Sequence, residues 1–238
     1  MLSFLKFFFG GSSPKEPPAV RPLETVEDLR PGDVIEFGYL DQLQLSNRQF
    51  TVEQVSTYIY GNLCYPEVIL KGDDNDVFYL MYENEDGEEY LALSRKIPKA
   101  RITAILTGAG LEQLLEEMEA VSSNQPVPRK LGTDYGKLHS LPQSGPEHWR
   151  QWLAGEYYID DAMVKGEFVR SDARYLKDEA LQSLLEPFTS WTFIDEEDEK
   201  ALEFELYSTG EMEVSATVYL SLSAISLMLP GGFQIPEN

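Results

Sequence analysis

The stretch Trp191-Thr-Phe-Ile-Asp-Glu-Glu-Asp-Glu-Lys-Ala-Leu-Glu-Phe-Glu-Leu-Tyr207 decides the fold class. Leu202, Phe204 and Leu206 alternate with Glu203, Glu205 and Tyr207, the period of two that marks a half-buried antiparallel strand. Trp191–Ile194 reads as its partner, and Asp195–Lys200 as the acidic loop between them. Ser208-Thr-Gly-Glu211 then turns into a further strand over Met212–Tyr219. Around this sheet the sequence predicts strands at Tyr157–Ile159 and Met163–Arg170. It predicts short helices at Pro146–Ala154, with Pro near the first position and Gly155 after the end, at Lys177–Leu185, and at Leu222–Leu229 before Pro230-Gly-Gly. Residues 146–238 therefore read as an α+β domain with an antiparallel sheet.

Upstream the pattern is mostly strand. Leu29–Asp33 is a turn feeding Val34–Phe37, and Gln49–Tyr60 is rich in Val, Thr, Tyr, Phe and Ile. Val68–Leu70, Val77–Tyr82 and Glu88–Leu93 follow, with Asp86-Gly87 as a hairpin signal between the last two. Leu111, Leu114, Leu115 and Met118 recur at helical spacing and close the region with a helix. Residues 23–121 thus read as a small antiparallel barrel or bent sheet of the SH3-like kind, joined to 146–238 by a Pro/Gly-rich connection at 122–145. The fold class is α+β, mainly β.

The 238 residues carry 41 acidic against 19 basic side chains, a net charge of −22. The acid is evenly spread: residues 1–125 hold 10 basic and 21 acidic side chains, residues 126–238 hold 9 and 20. That balance argues against a nucleic-acid partner gripped through a basic surface. One cysteine, Cys64, excludes an internal disulfide framework and a Cys-cluster zinc site. No window approaches the ~20 apolar residues of a membrane span. Residues 1–22 read as an apolar tip and flexible linker. Phe4, Leu5, Phe7, Phe8 and Phe9 crowd the tip, Lys6 interrupts a signal-like run, and Gly10-Gly-Ser-Ser-Pro-Lys-Glu-Pro-Pro18 follows. These five side chains are candidates for membrane or partner contact, against the alternative of packing on the fold. The expected location is cytoplasmic, with the tip peripheral at the inner membrane.

No catalytic constellation stands out, and no cofactor, metal or small-molecule substrate is expected. Asp73-Asp-Asn-Asp76 offers oxygen ligands without calcium-loop spacing. Glu83–Glu89 and Asp195–Glu199 read as solvated turns. Asp160-Asp161 is a carboxylate pair for acid/base chemistry if burial raises one pKa, but adjacent strand residues point to opposite faces, so a turn is expected. His139 and His148 sit in no metal-binding pattern, Cys64 reads as a small buried hydrophobe, and Gly108-Ala-Gly110 as a strand-to-helix turn. Tyr58, Tyr60, Tyr65, Tyr79, Tyr82 and Tyr90 are concentrated in the first region and read as packed sheet tyrosines.

Leu29-Arg-Pro-Gly-Asp-Val-Ile-Glu-Phe37 with Phe50-Thr-Val52, and Ala201-Leu-Glu-Phe-Glu-Leu-Tyr-Ser-Thr-Gly210 with Val218-Tyr-Leu-Ser-Leu-Ser-Ala-Ile225, together resemble bacterial domains of unknown function encoded near phage-shock-type membrane-stress genes. The resemblance implies a cytosolic accessory role near membranes and supplies no catalytic motif. The expected function is that of a non-enzymatic, acidic accessory protein that binds another protein. The alternatives are an enzyme using carboxylates and an acidic mimic of nucleic acid.

Overall fold

The computed structural model describes residues 21–74, 76–85, 87–126, 136–141 and 147–231. Phe4, Leu5, Phe7, Phe8 and Phe9 lie outside the described residues, as does most of the linker that follows them. The strands are β1 (Val34–Phe37), β2 (Gln49–Tyr60), β3 (Leu63–Lys71), β4 (Val77–Glu85), β5 (Glu88–Lys96), β6 (Leu106–Thr107), β7 (Lys137–Ser140), β8 (Glu156–Val169), β9 (Glu186–Ile194), β10 (Lys200–Tyr207), β11 (Met212–Ser221) and β12 (Ile225–Leu229). The helices are α1 (Ile102–Ile105), α2 (Ala109–Ser122) and α3 (Asp178–Gln182).

The alternating stretch pairs as the sequence predicts. In the β9–β10 hairpin Phe204 lies opposite Trp191 and Leu202 opposite Phe193, and β11 flanks β10 on the other side with Val214 opposite Phe204. The acidic loop folds around Asp195, whose carboxylate accepts the amides of Glu199 at 2.9 Å and Lys200 at 3.0 Å. The β4–β5 ladder runs out to Glu85 opposite Glu88, with Gly87 at φ +91°, a left-handed turn conformation that glycine adopts without a Cβ clash.

The protein is mostly β, with one large antiparallel sheet in the order β12-β1-β2-β3-β4-β5-β11-β10-β9-β8-β7-β6. β2 also pairs with β8, through Thr57–Val169, Tyr58–Phe168 and Ile59–Glu167. That short ladder closes β2-β3-β4-β5-β11-β10-β9-β8 into a ring of eight. The two long strands serve two neighbours each at this junction. The first residues of β2 pair with β1 and those of β8 with β7, while their far ends pair with each other.

This topology differs from a division into an SH3-like barrel over 23–121 and a separate α+β unit over 146–238. β5 pairs with β11 over seven residues, from Lys96–Ser215 to Tyr90–Ser221, and β2 pairs with β8. One hydrophobic cluster contains Phe50 and Phe78 together with Trp152, Trp191 and Phe204. The stretch 122–145 separates the halves in sequence only. Period-two patterning predicts that a segment is a strand and which face is apolar; it does not name the partner strand across a hundred residues.

The two faces of the ring strands differ. Leu202, Phe204 and Leu206 point into the apolar cluster, as do Leu91 and Leu93 of β5 and Val214, Ala216 and Val218 of β11. Packed with them are Ile35 and Phe37 of β1, Ile102 and Ile105 of α1, and Leu111, Leu114 and Met118 of α2. Trp149 and Trp152, from the 3₁₀ turn Glu147–Gln151 and the residues after it, complete this layer. Residues of opposite parity point to the other side.

Four local expectations need correction. Leu222–Leu229 is a 3₁₀ turn, Leu222–Ala224, followed by the edge strand β12, which pairs with β1. Ser223 shares its parity with Ile225 and Leu227, so no clean period of two marks the strand in sequence; its pairing with β1 does. The helix expected over Pro146–Ala154 is a 3₁₀ turn at Glu147–Gln151, and that over Lys177–Leu185 shortens to α3. Cys64 is exposed: it shares a strand face with Val68 and Leu70, but it sits at the hairpin end, opposite Ile59 and beside the β2–β3 turn at Gly61.

Candidate functional site

Parity places Tyr58 and Tyr60 of β2, Glu67 of β3, Tyr90 of β5, Glu203 and Glu205 of β10 and Tyr219 of β11 on the face opposite the apolar cluster. These residues line one cavity of about 960 Å³, which receives side chains from all eight ring strands. The curvature of the sheet is visible in contacts that skip strands. The Tyr58 hydroxyl faces the Glu205 carboxylate, three strands away around the ring. Strands spaced about 4.8 Å apart would leave these groups roughly 14 Å apart on a flat sheet. Edge-to-face packing of Phe188 on Tyr58 (5.6 Å) and Tyr60 (5.7 Å) seals the end where β2 meets β8. β8 passes beneath these rings at Gly166, where a Cβ would come within 2.6 Å of Phe188 Cζ and 2.9 Å of Tyr60 Cε1. The absence of a side chain there is what admits the aromatic plug.

The wall is acidic. Glu67, Glu83, Glu88, Asp160, Asp161, Asp198, Glu203 and Glu205 line it, and among the described lining residues there is no Lys, Arg or His. Five tyrosines, Tyr58, Tyr60, Tyr65, Tyr90 and Tyr219, supply ring faces and hydroxyls. Three glutamates form the inner part, Glu67 and Glu205 buried and Glu203 half-buried. Glu67 is only 5% exposed; its Oε2 accepts from Ser56 Oγ at 2.7 Å, and among the described residues Oε1 receives no hydrogen bond. Glu205 Oε2 accepts from Tyr207 Oη at 2.8 Å. Glu203 Oε1 accepts from Thr217 Oγ1 at 2.8 Å, and that hydroxyl meets Ser94 Oγ at 2.8 Å. Water is largely excluded from these groups, so ionisation costs more than in solvent. Burial pushes Glu67 up to about 7 and Glu203 up to about 8, and it raises Glu205 as well. Repulsion from Glu205 adds to this at Glu67 and Glu203, and repulsion from Glu213 adds to it at Glu205. The Lys96 ammonium, paired with Glu213, partly offsets it at Glu67 and Glu205. Burial raises Tyr58, Tyr60 and Tyr219 too, so their hydroxyls remain protonated donors.

Asp160 and Asp161 sit inside strand β8, and no turn separates the two strands expected around them. A register shift between Ile159 and Asp161 lets two consecutive carboxylates line the same cavity, at its exposed rim. A β-bulge defeats the rule that adjacent residues face opposite ways. Glu83 and Glu88 of the Glu83–Glu89 run and Asp198 of the Asp195–Glu199 loop, expected as solvated turns, also line the cavity, as do Tyr58, Tyr60, Tyr65 and Tyr90; the candidates that follow do not. Asp74 is bound by Arg48 at 3.0 Å and Asp76 by Arg95 at 3.2 Å, so that acidic run is neutralised by arginines. His139 is exposed with Nδ1 3.6 Å from Glu156. Among the described residues no three His, Cys, Asp or Glu side chains converge as a metal site. Gly108 caps the N-terminus of α2 at φ +104°, the strand-to-helix turn expected there.

The residues that the sequence reading passed over are Glu67, Glu203 and Glu205. A signal for them existed. The polar face of β10 shares its character with Tyr58 and Tyr60, Tyr90, and Tyr219, and a face that carries both carboxylates and many aromatic rings is costly to leave in bulk water. Set against protein-family models, curated proteins and solved structures, the chain matches none of them.

Proposed function

We propose that the chain is a non-enzymatic binding protein that takes a small ligand into the acidic, tyrosine-lined cavity of its strand ring. The observation that carries this reading is a single space of about 960 Å³, at the upper end of the ~300–1,000 Å³ common for ligand pockets, into which buried carboxylates and hydroxyls project. Preformed cavities of this kind cost folding energy, because each buried carboxyl gives up water; a ligand returns that cost on binding. Concentration of the deepest carboxylates inside the ring, away from the outer surface, favours this reading over an acidic mimic of nucleic acid. Fluorine NMR of protein labelled with 3-fluorotyrosine tests it. Resonances of Tyr58, Tyr60 and Tyr219, assigned by Tyr→Phe substitution, are expected to shift with at least one class in a panel of cationic, neutral and anionic small molecules. A panel that moves none of them, or whose members are chemically converted on incubation, overturns it.

The cytosolic accessory role, with a protein partner and a peripheral membrane contact, stands beside this reading and is supported by the five large apolar side chains of the tip. Replacing Phe4 and Phe8 by Ser in the full chain is expected to lower its co-sedimentation with neutral phospholipid vesicles several-fold; equal partitioning of the two proteins removes the membrane contact.

A further inference from the structure

The carboxylates of the cavity are arranged at two depths. Glu67 and Glu205 lie at the buried end, at 5% and 8% exposure, while Asp160, Asp161 and Asp198 lie at the exposed rim. Glu203 joins the two levels: it lies two residues from Glu205 on the same face of β10, and Thr192 of β9 is paired with Glu203 on one side and with Asp161 on the other. Between the levels the wall is tyrosine. Such a space repels anions and gives a neutral ligand no partner for its buried charge. A single compact cation satisfies one level and leaves the other.

We propose that the ligand of this cavity is a linear aliphatic polyamine, threaded so that one ammonium meets Glu67 and Glu205 and a second meets the rim carboxylates. This rests on the binding role proposed above and names its ligand class. Ammonium groups donate charge-assisted hydrogen bonds to carboxylates, and Glu67, whose Oε2 is taken by Ser56, keeps Oε1 as an acceptor that no described residue uses. Methylene segments between the ammoniums lie against tyrosine faces, where cation–π attraction and apolar contact act together. Burial that holds the Glu67 carboxyl near about 7 in the empty cavity is relieved when a cation replaces the missing solvation.

A protein with a net charge of −22 attracts any polycation, so the test separates the cavity from the surface. Calorimetric titration with spermidine is run in ~150 mM salt, where surface attraction is screened beyond about 8 Å. Spermidine is expected to bind the full chain at one site and to shift the fluorotyrosine signals of Tyr58 and Tyr60. Choline, with one cationic centre, binds at least tenfold more weakly. Glu67→Gln and Glu205→Gln each weaken spermidine roughly tenfold or more, the effect of one charge-assisted hydrogen bond. Glu112→Gln with Glu119→Gln on helix α2 leaves it unchanged. Equal binding of choline overturns the two-level arrangement, and loss of affinity only in the α2 variant overturns the cavity site. Tighter binding of a tri-lysine peptide than of spermidine assigns the cavity to a basic protein segment and overturns the small-molecule ligand. The wild-type NMR shifts need no variant to fold. Spermidine failing while a neutral or anionic compound moves the cavity tyrosines overturns this inference and leaves the binding role standing; no compound moving them overturns both.

Discussion

Unfolding free energy is expected to fall as pH rises from 5 to 9, the reverse of the usual behaviour of carboxylates held by ion pairs. In the native state burial holds Glu67 up to about 7 and Glu203 up to about 8, and Glu205 moves in the same direction. In the unfolded chain a glutamate titrates near ~4.3. Between those values the native state keeps protons that the unfolded state has released, so each step up in pH favours unfolding. Stability from these groups is complete below about pH 4 and is lost once pH has passed about 8. For Glu67, only 5% exposed, the loss by pH 8 is on the order of 3 kcal/mol. The groups facing it decide whether the shift survives: the Ser56 hydroxyl and Lys96 favour the charged form, Glu205 and Glu213 oppose it, and burial outweighs all of them. Asp28, Asp74 and Glu156 have carboxyls lowered by hydrogen bonds from Thr25, Arg48 and Lys137 respectively. They lose stability only as pH falls through and below the ordinary carboxylate range, which places the optimum near pH 5. Self-repulsion of the net −22 also grows with pH, and substitution separates the two causes. Glu67→Gln or Glu203→Gln removes one charge of many and should nevertheless raise stability at pH 8 by more than 1 kcal/mol and flatten the slope. Urea unfolding at pH 5, 7 and 9 measures both. A wild-type curve that is flat or rising across that range would show that the three glutamates are solvated, and their shielding inside the ring would then be wrong.

The glutamates also show where the sequence stops informing. Alternation over Leu202–Tyr207 predicts strand β10 and its apolar face, and both are found. Glu203 and Glu205 were assigned to the polar face, which is also correct. Whether that face meets bulk water or the inside of a ring depends on β2 meeting β8 through three residue pairs at Tyr58–Phe168 and its neighbours, a contact more than a hundred residues apart in sequence. Nothing in local periodicity encodes such a closure. The same limit explains the apparent domain boundary: the Pro/Gly-rich stretch 122–145 has linker composition, yet the ladders on either side of it interlock. Asp160 and Asp161 fail for a different reason. A bulge inserts one residue into the count, and a turn-like pair of acids inside a strand looks the same in sequence whether the chain turns or continues. Short segments were least legible, since Leu222–Leu229 satisfies a helical and an edge-strand reading about equally until β1 is there to pair with it.

Trp152→Ala is expected to remove about 3–5 kcal/mol, the range for deleting a fully buried tryptophan, and to do so for the whole chain at once. The indole is wholly buried and stacks on Phe78 at 5.6 Å with the planes 13° apart. Its Nε1 donates to Gln44 Oε1 at 2.9 Å. Arg95 lies over the same Phe78 ring at 5.7 Å and over Trp149 at 5.1 Å while paired to Asp76 at 3.2 Å, so the cavity left by the indole opens beside a cation fixed in place by its ion pair. Loss of the donor to Gln44 adds roughly 1 kcal/mol, which a water entering the void recovers in part. Against a typical total of ~5–15 kcal/mol, the substitution takes a third or more of the stability. The form of the transition is as informative as its midpoint. Phe78 and Gln44 belong to the first half of the chain and Trp152 to the second, and the strands of the two halves interlock through β1–β12, β2–β8 and β5–β11. Two independent domains would give two transitions, only one of them moved by the substitution. One interlocked core gives a single transition, displaced as a unit, in which tryptophan fluorescence from Trp149, Trp152 and Trp191 and the far-UV signal of the whole sheet coincide in the wild type. In the variant, Trp149 and Trp191 still report on the core, and their transition must remain coincident with that of the sheet; a fluorescence midpoint that shifts while the backbone signal keeps a second, unmoved step would mean that the ring does not bind the two halves into one cooperative unit.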